Sequence, residues 1–259
     1  SKRPGNGSHS VPFMPPLATQ LIVFNGHIDI EQAPEVVLRA AAEAGFRAVE
    51  TQLADAARLR SVLRAQGLAH AAVHLTPSQL HDPAAWIDYL QATGAADVCT
   101  SGLLHWNART ARDHELTADV LNRAGRQFRA AGIWLHYHNH DFELLESPAP
   151  GVTSLEYLLE RLDPDAVDLC VDVAWLHRAG VQPFAFLREY APRIGYLHLK
   201  DWDGEHWVPP GRGEVDLLAV VHVVPELHRL RWIACEQDNR LQIPPNACVW
   251  LTPGVAGTC

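Results

Sequence analysis

The chain has 259 residues, of which 47% are hydrophobic and 20% charged, and its formal net charge at pH 7 is −9. A chain of this length buries a large core without disulfides, and it accommodates either two ordinary domains or a single α/β barrel. The acidic balance argues against a nucleic-acid partner, which requires clustered Lys and Arg, and no apolar run of about 18 residues predicts a membrane span.

The cysteines and the first residues carry little information about function. Five cysteines are scattered without a CxxC pair, which disfavours a disulfide framework or a zinc ribbon and favours a reducing, cytoplasmic location. Residues 1–17 are rich in Gly, Ser and Pro and lack the apolar core of a signal peptide. We expect this segment to be a disordered lead or an expression remnant.

From there on, short apolar runs alternate with helical patterns. Three segments, residues 31–45, 54–67 and 111–132, have apolar residues at i, i+3 and i+4 and end in Gly, which is typical of amphipathic helices. Eight candidate strands recur about every 30 residues, the size of a βα unit. They begin near Gln20 (QLIVF), Phe46 (FRAVE), His70 (HAAVHL), Asp97 (DVCTS), Ile133 (IWLHYH), Val167 (VDLCVD), Ile194 (IGYLHL) and Trp232 (WIACE).

This alternation predicts one α/β domain over residues 18–240, built as a closed (β/α)8 TIM barrel. A doubly wound open sheet is the alternative, but no glycine fingerprint follows the first strand. The tail, residues 241–259, contains Pro244, Pro245 and Pro253, which are incompatible with a normal long helix. We therefore expect an irregular tail and a barrel that is atypical or truncated at its eighth helix.

Ionisable residues stand where most of these strands end. In a TIM barrel the carboxyl ends of the strands form one face, and polar residues there are typical of an active site. Imidazoles and carboxylates from separate strands are the donors that zinc, manganese, iron or cobalt prefer, whereas calcium prefers oxygen alone. The residues are Glu50, His74, His138, His140, Asp172, His198, Lys200 and Glu236.

Five segments resemble motifs of the xylose-isomerase-like TIM barrels. They are YHNHDFELLE (137–146), VDVAWLHRAGVQP (171–183), RIGYLHLKDW (193–202), GRGEVD (211–216) and ACEQD (234–238). The resemblance spans roughly residues 18–240. That superfamily contains sugar-phosphate isomerases and epimerases, inosose dehydratases and endonuclease IV.

The resemblance implies one divalent ion, Mn²⁺ or Zn²⁺ first, with Mg²⁺, Co²⁺ and Fe²⁺ open. Its ligands would be His138, Asp172, His198 and Glu236. Relatives commonly carry Glu at the strand-five position, so Glu143 is an alternative to His138 there. Trp175 occupies a position where many relatives have His, which suggests a sugar ring stacked on the indole.

The catalytic residues implied are Glu236, His138 and Lys200. Glu236 or His138 would remove an α-proton, and Lys200 would stabilise an oxyanion unless it is simply paired with Asp201. Substrate contacts are expected from the remaining polar and aromatic residues of this face. They are His74, His140, Trp175, Arg212 and Glu50, the last of which alternatively braces the barrel rim.

The first functional hypothesis is a metal-dependent isomerase or epimerase that acts on a sugar or keto-sugar through an enediolate. Loss of a β-hydroxyl from the same intermediate would instead give an inosose-type dehydratase. A sugar-binding relative without catalysis is a third reading, and an endonuclease IV-like nuclease is disfavoured by the net charge of −9. The expected partner is a small carbohydrate, and an apolar flank left by a missing eighth helix would favour a homodimer.

Overall fold

A computed structural model describes residues 14–24, 27–105 and 109–238. Eight parallel strands close into a barrel, as predicted. Seven of the predicted strands lie where the sequence indicates. The barrel strands are β1 (Leu17–Gln20), β2 (Ala48–Glu50), β3 (Ala69–Leu75), β4 (Asp97–Ser101), β5 (Trp134–His138), β6 (Val167–Asp172), β7 (Ile194–Leu199) and β10 (Trp232–Cys235).

The first strand corrects the sequence prediction. QLIVF was predicted as a strand, but β1 ends at Gln20 and Leu21–Phe24 forms a 3-10 helix. The reason is barrel closure: Ala18 lies opposite Ala234 of β10 and Ala48 of β2, where small residues fit the interior. Leu21 instead packs in a cluster with Val37 of the first helix. Local hydrophobicity alone does not reveal this register.

Helices cover the barrel between the strands, and the three predicted amphipathic helices are confirmed as α1, α2 and α4. The αL conformation of Gly67 ends α2 and turns the chain towards β3. The helices are α1 (Pro34–Glu43), α2 (Ala56–Gln66), α3 (Pro83–Thr93), α4 (Ala111–Ala130), α5 (Phe142–Leu145), α6 (Ser154–Leu159), α7 (Val173–Arg178), α8 (Pro183–Glu189) and α9 (Leu217–Val223). Three further 3-10 helices are Pro77–His81, Ala191–Arg193 and Val224–Glu226.

A short antiparallel hairpin, β8 (Asp201–Trp202) and β9 (Trp207–Val208), follows β7 and was not predicted. The predicted tail and eighth-helix region after Asp238 and most of the predicted lead lie outside the described residues. Over the ranges that are described, no helix combines the length and apolarity that crossing a membrane requires.

The amino-terminal face of the barrel is closed by buried polar contacts. Asp97 accepts hydrogen bonds from His136 Nε2 at 2.8 Å, from Arg231 Nε at 2.6 Å and from Trp232 Nε1 at 3.2 Å. Gly195 of β7 lies so close that an added Cβ would be 2.6 Å from His136 Cε1. His136 therefore serves the stability of this face, unlike the histidines at the opposite end of the strands.

Candidate metal centre and active site

Four buried side chains meet at the carboxyl ends of neighbouring strands. His138 ends β5, Asp172 ends β6, His198 lies near the end of β7, and Glu236 directly follows β10. One donor atom from each of the four lies within 4.8 Å of the donor atoms of the others. These are the four residues that the family resemblance implies as ligands, and their two imidazoles and two carboxylates form a donor set suited to Zn²⁺, Mn²⁺, Fe²⁺ or Co²⁺.

The polar atoms at the centre of this group fit a cation. Asp172 Oδ1 accepts the backbone N–H groups of Ala174 at 2.9 Å and Trp175 at 3.0 Å. Asp172 Oδ2 is buried and has no hydrogen-bond partner. His198 Nδ1 lies 2.5 Å from Glu236 Oε2. Because an unsatisfied buried polar atom is costly, Asp172 Oδ2 is best explained as a ligand atom for a divalent ion, and the close pair of His198 Nδ1 and Glu236 Oε2 offers two further ligand atoms.

Lys200 is a buried cation beside the same carboxylates. Its Nζ donates to Glu236 Oε1 at 3.1 Å and to Asp238, and it lies 3.9 Å from Asp172 Oδ2. Although burial opposes the charged form, Glu236, Asp172 and Asp238 raise the pKa of Lys200 above its usual range. The ammonium group is therefore permanent at neutral pH. Lys200 does not pair with Asp201, because the Asp201 carboxylate accepts hydrogen bonds from backbone N–H groups of residues 211–215.

Glu50 connects two imidazoles of the site. Its carboxylate is buried and lies 2.8 Å from His198 Nε2 and 3.2 Å from His74 Nδ1. Despite the opposing effect of burial, the charges of the two imidazoles and their hydrogen bonds lower the pKa of Glu50 to about 2. A carboxylate behind a metal-ligating histidine fixes the tautomer and the ring orientation. Glu50 was predicted to contact substrate or to brace the rim; its contacts fit the second role.

The pKa values of the two imidazoles in the four-residue group are shifted in opposite directions. Burial and the neighbouring imidazoles of His198 and His140 lower the pKa of His138 well below its usual range. Burial also disfavours a charged His198, but Glu50 and Glu236 outweigh it and raise the pKa of His198 well above its usual range. Burial raises the pKa of Asp172 to about 6. A bound cation would favour the neutral imidazoles and the ionised carboxylates.

The alternative strand-five ligand, Glu143, faces away from this centre. Its Oε1 accepts the hydroxyl of Tyr137 at 2.9 Å and its Oε2 accepts the backbone N–H of His140 at 2.8 Å. Both oxygens are thus engaged, one by β5 and one by the turn between β5 and α5, and Glu143 does not belong to the four-residue group. His138 is the strand-five residue that the structure brings to the centre.

An aromatic wall stands on one side of the site. We use this name for Trp175 of α7 together with Trp202 and Trp207 of the hairpin, whose neighbouring ring centroids lie 4.5 and 4.7 Å apart. Lys200 Nζ lies 4.4 Å from the centre of the Trp207 ring and 5.1 Å from that of Trp175. Of these three residues only Trp175 is predicted from the sequence, because Trp202 and Trp207 become its neighbours only through the hairpin.

The remaining predicted substrate residues surround the opening. His74 and His140 are partly exposed, and their ring centroids lie 5.6 and 4.9 Å from that of His138. A cavity of about 190 Å³ extends beside His74 and Glu50 towards the end of β1. Arg212 is exposed on the glycine-rich loop, and its predicted contact with substrate stays a prediction.

Asp201 shapes that loop and was missed as a functional residue. Its carboxylate accepts the backbone N–H groups of Gly211 at 2.8 Å, Gly213 at 2.9 Å and Val215 at 3.1 Å. The sequence signal was the GRGEVD motif itself, since successive loop N–H groups need a buried acceptor. Asp201 thereby holds the loop against the hairpin that carries the aromatic wall.

The fold and this group of donors define a (β/α)8 barrel with a candidate metal centre at the carboxyl ends of its strands. The chain belongs to the xylose isomerase-like TIM barrel family, whose model matches residues 38–252. This confirms the resemblance seen in the sequence.

The chain is similar to individual relatives over part of the sequence and to solved structures over most of the fold. The chain is similar to an inosose dehydratase of Geobacillus kaustophilus (strain HTA426), with 32% identity over 130 residues, 45% of this chain and 41% of that protein. It thus spans less than half of that curated relative. A sugar phosphate isomerase/epimerase of Parabacteroides distasonis ATCC 8503 superimposes with a TM-score of 0.73 at 19% identity, covering 94% of this chain and 99% of the other. IolI protein with a bound zinc atom superimposes with a TM-score of 0.70 at 13% identity, covering 90% and 94%.

Proposed function

We propose that this protein is a divalent-metal-dependent dehydratase that acts on a keto-polyol of the inosose type through an enolate. The observation that carries the proposal is the position of the Glu236 carboxylate. It lies between His198 Nδ1, at 2.5 Å, and Lys200 Nζ, at 3.1 Å, within the group completed by His138 and Asp172. The similarity to an inosose dehydratase supports the substrate class.

The ion would be held by His138, Asp172, His198 and Glu236. When bound, it would polarise the substrate carbonyl and acidify the neighbouring C–H bond. We propose Mn²⁺ or Zn²⁺, which suit this mixture of nitrogen and oxygen donors. The zinc atom of the IolI structure supports a divalent ion on this fold.

Glu236 is the proposed base for the α-proton. Burial opposes its ionised form, but the positive charges of Lys200 and His198 lower the pKa of Glu236 well below its usual range, so the carboxylate is ionised. Because a low pKa weakens a base, removal of the proton would rely on the acidification of the C–H bond by the bound ion. The negative charge then moves from Glu236 to the substrate oxygen. Lys200 stays charged beside it and stabilises that oxyanion electrostatically.

The surroundings favour elimination over epimerisation. Epimerisation through an enolate needs a second proton carrier on the opposite face of the carbon, and the nearby carboxylate Glu143 is engaged by Tyr137 and His140. Elimination needs one base and a proton donor for the leaving hydroxyl. His74 and His140, the partly exposed imidazoles of the rim, are the proposed donors. The aromatic wall offers a face on which a six-membered polyol ring can stack.

The proposal is tested with the metal-reconstituted protein and an inosose in D₂O. We expect exchange of the proton next to the carbonyl, followed by NMR, and formation of an enone, followed by its ultraviolet absorbance. Glu236→Gln should lower both rates by about 10²- to 10⁴-fold, the usual contribution of a general base. Glu189→Gln, at the exposed end of α8, is the control and should leave both unchanged. Absence of exchange with every divalent ion would contradict the proposal.

Isomerisation or epimerisation is the second candidate: isomerisation returns a proton to the neighbouring carbon of the same enolate, and epimerisation would use His74 or His140 as the second proton carrier. It predicts proton exchange without enone and a ketose, aldose or epimer among the products. The role of His138 is decided separately by His138→Ala. Loss of the bound metal, measured by atomic emission, identifies a ligand, whereas retention of the metal with loss of turnover identifies a base.

A further inference from the structure

Two buried cysteines lie next to the candidate metal centre, inside the barrel. Cys99 of β4 and Cys170 of β6 are both 0% exposed and pack in the barrel interior with Ala71, Ala72 and Ala234. Neither cysteine has a role in the proposed dehydration. Their cluster otherwise consists of alanines and Tyr196, so the two thiols and the Tyr196 hydroxyl are its polar groups.

Both thiols converge on an imidazole of the centre. One donor atom each from Cys99, Cys170 and His198 lies within 4.8 Å of the other two, which forms a second group of potential ligands. Cys170 Sγ also lies 3.9 Å from His138 Nδ1. A single buried cysteine usually packs as a small apolar residue. Here two sulfur atoms lie close to the same imidazole, and the three side chains together are potential ligands of one metal ion.

The chemistry of this set differs from that of the four-residue group of the candidate metal centre. Two thiolates and one imidazole are soft and borderline donors, which bind Zn²⁺, Cd²⁺ or Cu⁺ in preference to Mn²⁺ or Mg²⁺. Zinc–ligand bonds of about 2.3 Å to sulfur and about 2.0 Å to nitrogen place two ligand atoms about 3.5 to 4 Å apart. The three atoms therefore need to approach each other by at most about 1.3 Å.

We propose that Cys99, Cys170 and His198 form a second, thiophilic metal position that shares His198 with the candidate metal centre. Binding of a divalent ion there releases the two thiol protons and one imidazole proton of His198 to solvent, and it forms two metal–sulfur bonds and one metal–nitrogen bond without any redox step. Because the two positions share the His198 imidazole, an ion bound by Cys99 and Cys170 removes His198 from the four-residue group of the candidate metal centre. Thiophilic ions should consequently inhibit the enzyme in a way that Mn²⁺ does not.

The test uses Cd²⁺ as the probe and the ultraviolet thiolate-to-cadmium charge-transfer band as the readout. The parent protein carries Cys248→Ser and Cys259→Ser, which removes the cysteines outside the described residues. Titrating the metal-free parent should produce the band. Cys99→Ala and Cys170→Ala should each reduce its amplitude by about half or more, and the double variant should abolish it. Cys235→Ala, a buried cysteine outside the group, is the matched control and should retain it.

A second measurement does not depend on how the variants fold. X-ray absorption at the cadmium edge of the loaded parent should show sulfur neighbours together with nitrogen or oxygen. The proposal is overturned if the parent gives no charge-transfer band, if the double variant keeps the full band, or if the cadmium has only light-atom neighbours. Circular dichroism of each variant verifies that the loss of the band is not a loss of the fold.

Discussion

Replacing Glu50 by Gln distinguishes two possible roles of this residue, which are to orient the metal ligand His198 and to contact the substrate. Glu50 is 1% exposed and accepts hydrogen bonds from both His198 Nε2 and His74 Nδ1. A glutamine keeps the shape but offers one oxygen and one NH₂ group, so it cannot accept from both imidazoles. One ring must therefore change its tautomer or its orientation, and the negative charge behind His198 is lost.

The expected magnitude follows from the contact at His198. Removing the carboxylate partner of a ligating histidine typically lowers metal affinity by about 10- to 100-fold. This corresponds to about 1.4 to 2.7 kcal/mol of binding free energy. The buried, charge-assisted hydrogen bond of 2.8 Å places Glu50→Gln within this range rather than below it.

The assay is calorimetric titration of the metal-free protein with Mn²⁺. Glu35→Gln is the control, because Glu35 pairs with Arg58 on the surface and both side chains are more than 40% exposed. We expect unchanged affinity for the control and a loss of at least tenfold for Glu50→Gln. If Glu50→Gln keeps the affinity for Mn²⁺ and instead raises the KM of the substrate, Glu50 is a substrate contact and the positioning argument is refuted.

Three further predictions concern the frame of the site. Asp201→Asn should release the loop 211–215 and lower the free energy of unfolding by about 1 to 3 kcal/mol, because buried N–H groups lose their acceptor; urea unfolding measures this. Gly195→Ala should also lower the free energy of unfolding by about 1 to 3 kcal/mol, because the added Cβ clashes with His136, and it should leave the affinity for Mn²⁺ unchanged. The stabilisation that ionised Glu50 contributes is present above its ordinary pKa of 4.5 and should be lost as pH falls towards about 2. As pH is lowered below 4.5, the urea midpoint of the metal-free protein should therefore fall less steeply for Glu50→Gln than for the unsubstituted protein.

Much of the fold was readable from the chain because its signals are local. The helix periodicity of α1, α2 and α4 and seven of the eight strand positions follow from short apolar patterns and turn residues. Polar residues at the strand ends predicted a metal site on one face, because parallel strands bring their carboxyl ends together there, and the family resemblance implied which four of them form the group.

The rest required the tertiary structure. The register of β1 depends on barrel closure, since Ala18 must fit between β10 and β2. The choice between His138 and Glu143 depends on which way α5 turns, and the link from Glu50 to His198 joins residues 148 positions apart. Cys99 and Cys170 read as isolated cysteines in the sequence. Only the curvature of the barrel brings their sulfurs to the same imidazole, because residues on β4, β6 and β7 that face inward approach one another across its axis.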